Sequence, residues 1–191
     1  MRAAVARRDS TSEARPAPVL DGAAVAVGLG LLLARPWVAS LAFAPIVLLA
    51  LYAAVVYVSW DGSATLGAPR RWWPALLVGL GAVAVARVAV QIGPPTPRTW
   101  WVLPLGIAAA IAEEALFRGL LYRVLAHGGA VVAVVGTAVA FAALHVPSYG
   151  IAAFWVDLGA GLLLSWQRWA SGGWGVPAAT HVFANLLVVV P

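Results

Sequence analysis

The sequence contains no cysteine and no lysine, and only 10% of its 191 residues are charged. Without cysteine there is no disulfide framework, no thiolate nucleophile and no thiolate metal site. Soluble domains carry about 25% charged residues, so this shortage of charge excludes a cytosolic enzyme, a nucleic-acid-binding domain and a disordered chain. With 63% hydrophobic residues, the sequence predicts an integral membrane protein. Any catalysis must use carboxylate, imidazole, hydroxyl or amide groups.

Long apolar runs follow a charged, proline-containing segment over residues 1–18, which we expect to be a disordered tail. A bilayer core of ~30 Å requires about 20 apolar residues in a helix. With helices of this length, the rest of the chain accommodates about seven membrane spans, within a range of six to eight. The sequence therefore predicts an all-α, polytopic helical bundle. The predicted spans are residues 23–34, 37–59, 73–92, 99–126, 129–146, 150–169 and 174–190.

The distribution of arginine predicts the orientation of the bundle. With seven spans and a cytoplasmic N-terminus, eight loop or tail arginines lie inside, and Arg35 and Arg98 lie outside. Cytoplasmic loops are enriched in arginine and lysine, so we expect a cytoplasmic N-terminus. The alanine-rich, lysine-free composition is typical of a GC-rich bacterial genome, which suggests the cytoplasmic membrane of a bacterium.

Two adjacent acids, Glu113 and Glu114, lie in the middle of an apolar span, where an ionisable side chain costs at least ~2.5–3.5 kcal/mol. Arg118 follows Glu114 by four residues, which is the favourable order for an ion pair on a helix. Glu113 lies about 100° further round the helix, so Arg118 cannot serve both acids equally. The spacing predicts one neutralised carboxylate, Glu114, and one spare, Glu113.

Two later spans carry imidazoles at helical spacing from other side chains, as Phe141 with His145 and His181 with Asn185. Each histidine alone is also explained as an interhelical hydrogen-bonding group. Together with Glu113 they are suited to activating water: Glu113 takes its proton and later returns it to an amine, while His145 holds the water. His181 and Asn185 then stabilise the oxyanion, which predicts amide hydrolysis.

The ordered motifs Glu113-Glu114-x-x-x-Arg118, Phe141-x-x-x-His145 and His181-x-x-x-Asn185 resemble the CAAX-protease and bacteriocin-processing family of intramembrane proteases. Its eukaryotic members are the type II CAAX prenyl endopeptidases. The resemblance covers about residues 100–190 and implies a catalytic helical core over 99–191. The apolar runs before it predict membrane helices over 19–98. The resemblance also implies that Glu113 and His145 activate water, that His181 and Asn185 form the oxyanion hole, and that Glu114, Arg118 and Phe141 support the site.

Several alternatives remain open. Glu113, His145 and His181 form a legitimate zinc ligand set, although the His-Glu-x-x-His motif is absent, and we favour a mechanism without a cofactor. A proton-coupled transporter or a non-catalytic scaffold or immunity protein would also bury such groups. The expected partners are a peptide or protein substrate and the lipid bilayer, without nucleic acid, and the oligomeric state is open. For Arg87 and Asp157 we expect a mutual ion pair or a snorkelling arginine.

Overall fold

The computed structural model describes residues 18–60, 69–89 and 101–189, and every regular element in these segments is a helix. The predicted tail lies outside the described residues, apart from Pro18. Three stretches are long and apolar enough to cross a membrane by length and composition, namely Asp21–Ala39, Arg71–Ala89 and Ala130–Tyr149. Large apolar side chains such as Val85, Val88 and Trp155 are exposed, as lipid contact requires. The chain is thus a helical membrane protein, whereas the count of seven spans stays a prediction.

The N-terminal part of the described chain contains four helices: α1 (Pro18–Leu33), α2 (Arg35–Ala39), α3 (Ala44–Ser59) and α4 (Pro69–Ala89). The predicted single span over 37–59 is wrong, because a turn at residues 40–43 separates α2 from α3. Pro45 stands in the first turn of α3, where its missing N–H costs no helical hydrogen bond. The turn ends the apolar stretch Asp21–Ala39, in which backbone hydrogen bonds from Ala34 to Gly30 and from Val38 to Ala34 connect α1 with α2.

The C-terminal part begins with a long helix that changes its geometry along its length. The segment α5 (Val102–Glu114) continues into a π-helix (Ala115–Leu121), then α6 (Tyr122–Leu125) and a 3-10 turn (Ala126–Gly128). It is followed by α7 (Ala130–Tyr149), α8 (Ile151–Ser171) and α9 (Gly175–Val189).

The predicted end of a span at residue 146 is too early, since α7 continues through Pro147 to Tyr149. Membrane helices tolerate proline when neighbouring groups satisfy the freed backbone carbonyl. The helix ends instead before Gly150, whose φ of 80° lies in the region that favours glycine.

Close helix packing brings the polar spans together. Helix α5 packs against α3 and α9, α9 contacts α4 and α8, and α7 pairs with α8. At the α7–α8 contact, a Cβ on Gly161 would lie 3.0 Å from the backbone of Ala138. Small residues at such contacts allow membrane helices to approach closely. Across the same contact the hydroxyls of Thr137 and Ser165 form a buried 2.9 Å hydrogen bond.

Candidate active site

Glu114 is the centre of a fully buried polar cluster. Its Oε1 accepts hydrogen bonds from the Arg118 guanidinium and from Nδ1 of His181, each at 2.9 Å. Arg118 also donates to the backbone carbonyl of Gly161 at 3.1 Å, and neither Glu114 nor Arg118 is exposed. The structure therefore contains the ion pair that the i, i+4 spacing predicts. This cluster connects the long α5–π-helix segment with α8 and α9.

The π-helix positions Arg118 over an aromatic ring. The guanidinium carbon lies 4.6 Å from the ring centroid of Phe141, within the range of a cation–π interaction. Phe141 is 3% exposed and contacts the rings of His145 and His181, with centroids 4.5 and 5.8 Å away. Short π-helical segments inside α-helices are frequent at functional sites. Here the π-helical segment places Arg118 against Phe141, the ring that also contacts His145 and His181.

Glu113 is not spare, in contrast to the sequence prediction. Its Oε1 forms an ion pair and hydrogen bond with the guanidinium of Arg35, which also donates from Nε to the Leu32 carbonyl at 2.9 Å. Sequence reasoning missed Arg35 and placed it in an outer loop. A usable signal was that Arg35 is the only charged residue between Asp21 and Asp61.

Both imidazoles direct Nε2 towards the second oxygen of Glu113. Each Nε2 lies 3.9 Å from Glu113 Oε2, while Nδ1 of His145 is 2.8 Å from the Phe141 carbonyl. A carbonyl oxygen only accepts, so Nδ1 of His145 must carry the hydrogen, and the neutral ring has a lone pair at Nε2. The Glu114 carboxylate orients His181 by accepting the hydrogen of its Nδ1.

Asn185 is held by one amide hydrogen and faces the cavity with the rest of its side chain. Its Nδ2 donates to the backbone carbonyl of Gly106 at 2.9 Å, which joins α9 to α5. In the described segments no protein group accepts the second amide hydrogen. This hydrogen is therefore available to a bound molecule.

A cavity of about 440 Å³ opens beside these side chains, and Phe141, His145, His181 and Asn185 form part of its lining. The ring of Tyr149 also lines it, stacked on His145 with a centroid distance of 5.8 Å. The structure thus brings every predicted site residue into one contiguous group beside the cavity. It adds Arg35 to that group through Glu113.

Arg87 and Asp157 line the same cavity, but the expected ion pair between them is not formed. Arg87 instead donates from Nε to the carbonyl of Leu187 at 3.2 Å. His127 is exposed and hydrogen-bonds the carbonyl of Val124, away from the cavity.

In the described part of the chain, no group of three or more His, Asp or Glu side chains is arranged to hold a metal ion. Tetrahedral zinc with bonds of ~2.0–2.1 Å places neighbouring ligand atoms about 3.4 Å apart. The 3.9 Å separations between Glu113 Oε2 and the two Nε2 atoms are wider than this. The carboxylate oxygen and the two imidazole nitrogens are atoms that bind zinc. The distances from Glu113 Oε2 to the two Nε2 atoms, however, leave room for a water molecule and are too long for ligands of one zinc ion.

Residues 94–187 match the family model described as Type II CAAX prenyl endopeptidase Rce1-like. No curated protein and no solved structure gives a significant match to the chain. The matched segment contains both glutamates, Arg118, Phe141, both histidines and Asn185, so the resemblance inferred from the three motifs is confirmed. The C-terminal half of this chain is therefore a CAAX-protease domain of the Rce1-like family.

Proposed function

We propose that the protein is an intramembrane endopeptidase that hydrolyses a peptide bond of a membrane-associated or secreted peptide, with Glu113 as general base. The observation that supports this most directly is the gap between Glu113 Oε2 and Nε2 of His145, which measures 3.9 Å. Both atoms are acceptors in the ionised carboxylate and the neutral imidazole.

A water molecule fits this gap about 2.8 Å from each atom. It donates one hydrogen to Glu113 and the other to His145, so that an oxygen lone pair is directed away from both acceptors. Arg35 holds the other carboxylate oxygen of Glu113, which fixes the carboxylate orientation. This arrangement positions the water for attack on a carbonyl in the cavity.

Attack on the peptide carbonyl forms a new C–O bond and places negative charge on the former carbonyl oxygen. The second amide hydrogen of Asn185 and Nε2 of His181 face the cavity that receives this oxyanion. Because Glu114 holds the hydrogen of Nδ1, His181 donates from Nε2 only as an imidazolium. Glu113 takes the proton of water and delivers it to the leaving nitrogen as the C–N bond breaks, so the protons balance without a covalent intermediate.

The zinc-dependent form of the same reaction is the second candidate. It is favoured by one observation: each Nδ1 is hydrogen-bonded to an oxygen acceptor, which leaves Nε2 bare as in histidine ligands of metals. Glu113, His145 and His181 would hold the ion after closing by about 0.5 Å, and zinc would supply Lewis-acid activation of water. Sensitivity to a chelator separates the two forms.

The distribution of arginine supports a cytoplasmic N-terminus, and the alanine-rich, lysine-free composition supports a bacterial cytoplasmic membrane. We include this orientation and the seven-span topology in the proposal. In such a membrane prenylated CAAX proteins are not expected substrates, so the proposed substrates are other peptides at the membrane.

The test is cleavage of a mixed peptide library, including a farnesylated CAAX peptide, by the purified protein in detergent, read by mass spectrometry. Glu113→Gln should abolish cleavage, because the amide cannot accept the proton from water. The protein should still fold at lower stability, since the amide oxygen still accepts a hydrogen bond from Arg35 but no longer compensates its charge. Asp21→Asn is the matched control, since this carboxylate lies outside the cavity and pairs with Arg123 at 3.4 Å. Substantial activity in Glu113→Gln would refute the assigned base. Ion flux in proteoliposomes without cleavage would instead indicate the transporter.

A further inference from the structure

The cavity beside the candidate active site contains a positive charge that the proposed reaction does not use. Its wall is largely apolar, with Val83, Val156 and Leu163 among the lining residues. Arg87 of α4 lines the same wall and lies outside the segment that matches the family model. A cation in such surroundings is costly unless an acceptor or a counter-ion satisfies it.

Most of the hydrogen-bonding capacity of Arg87 is unused by the protein. A guanidinium has five N–H donors, and the contact with the Leu187 carbonyl occupies only Nε. This carbonyl is among the last four of α9, so the contact satisfies a helix end. Within the described residues, no protein group accepts from the two terminal nitrogens. The other charged side chain of the cavity, Asp157, forms no ion pair with them.

The position of Arg87 relative to the reacting groups follows from α9. Leu187 lies two residues beyond Asn185 and six beyond His181. At ~1.5 Å per residue these separations are about 3 and 9 Å along the helix axis. An extended peptide advances ~3.3 Å per residue, so about three residues span the axial distance from His181 to Leu187, whose carbonyl accepts from Arg87.

We propose that Arg87 binds a carboxylate of the peptide substrate, about three residues from the bond that is cleaved. A guanidinium with two free terminal nitrogens matches the two oxygens of a carboxylate. The carboxylate is the C-terminus of the peptide or an acidic side chain. This inference rests on the proposed function, because it assumes that the cavity receives the peptide.

The test measures the binding of fluorescein-labelled apolar peptides to the Glu113→Gln protein in nanodiscs, where turnover does not interfere. Three forms of one peptide are compared: a C-terminal carboxylate, a C-terminal amide, and an amide with aspartate at the third position from the end. We expect one carboxylate form to bind at least about 10-fold more tightly than the neutral form, as charge-assisted hydrogen bonds predict. The form that shows the preference identifies the source of the carboxylate.

Arg87→Gln should abolish this preference, and Arg87→Lys should retain only part of it because an ammonium lacks the planar fork. Arg71→Gln is the matched control, as Arg71 is an exposed arginine on the same helix, ~24 Å away along the axis. Equal affinity of the Glu113→Gln protein, with Arg87 intact, for all three peptides overturns the proposal. A preference that survives in Arg87→Gln also overturns it.

Two outcomes distinguish this inference from the proposed function. Carboxylate binding that depends on Arg87, without cleavage of any peptide by the wild-type protein, would support the carboxylate site at Arg87 and contradict the proposed protease function. An Arg87-dependent preference for nanodiscs of anionic lipid, without discrimination among the peptides, would assign the arginine to lipid headgroups and overturn the inference.

Discussion

Replacing Arg35 by methionine should destabilise the protein and abolish turnover, although Arg35 lies outside the segment that matches the family model. The side chains of Arg35 and Glu113 are only 18% and 4% exposed. Removing one partner of a buried ion pair leaves the other charge uncompensated, which costs about 3–5 kcal/mol. Methionine retains much of the apolar stem, so this loss reports on the charge and the hydrogen bonds.

The matching test is a double-mutant cycle with Glu113→Gln. The double variant Arg35→Met/Glu113→Gln removes both charges and should recover most of the lost stability, because the unpaired carboxylate is no longer present. It should remain inactive, since the base is absent. Arg35→Lys keeps the charge but loses either the contact with Leu32 or that with Glu113, so we expect intermediate stability and reduced turnover.

The assays are thermal unfolding in detergent and cleavage of the best substrate from the peptide library. If Arg35→Met unfolds at the wild-type temperature and cleaves normally, the ion pair has no role and the reasoning fails. A double variant as unstable as Arg35→Met would also refute it, because the penalty would then come from lost packing. A stable but inactive Arg35→Met would limit the role of Arg35 to orienting the Glu113 carboxylate.

Two further changes test the support of the site. Asn185→Ala should lower kcat by about 10²–10³-fold if the free amide hydrogen stabilises the oxyanion; an unchanged kcat in steady-state assays would remove Asn185 from that role. Gly79→Ala should lower the free energy of unfolding by about 2 kcal/mol or more, because the new Cβ would lie 2.0 Å from the Gln167 amide, which donates two buried hydrogen bonds. Gly81→Ala is its matched control, with nothing within 4 Å of the added Cβ, and equal unfolding temperatures for the two variants would contradict the argument.

The contacts that the sequence predicts correctly are those within one helix. The i, i+4 spacing of Glu114 and Arg118 places them together because the geometry of a helical turn decides their separation, and the structure contains this pair. The contact of Phe141 with His145 follows from the same spacing. Even the π-helical segment that begins at Ala115 does not separate Glu114 from Arg118.

Contacts between distant helices could not be predicted in this way. Arg35 and Glu113 are 78 residues apart, and their pairing depends on how α2 is directed after Leu33, which hydrophobic periodicity does not encode. The turn at residues 40–43 was missed for a related reason. It consists of Ser40, Leu41, Ala42 and Phe43, a mostly apolar stretch that a hydropathy count includes in the span.

The two arginines that sequence reasoning left outside the site lie in the half of the chain that the family model does not match. Each contacts a residue of the matched half: Arg35 contacts Glu113, and Arg87 contacts the carbonyl of Leu187. The proposed reacting groups thus come from one half, whereas the charge that compensates Glu113 comes from the other. Because an unpaired carboxylate in this position is costly, the Arg35 guanidinium at the start of α2 compensates the charge of Glu113 and orients its carboxylate. The three motifs therefore locate the candidate site, and the surroundings of Glu113 depend on helices that carry none of the motifs.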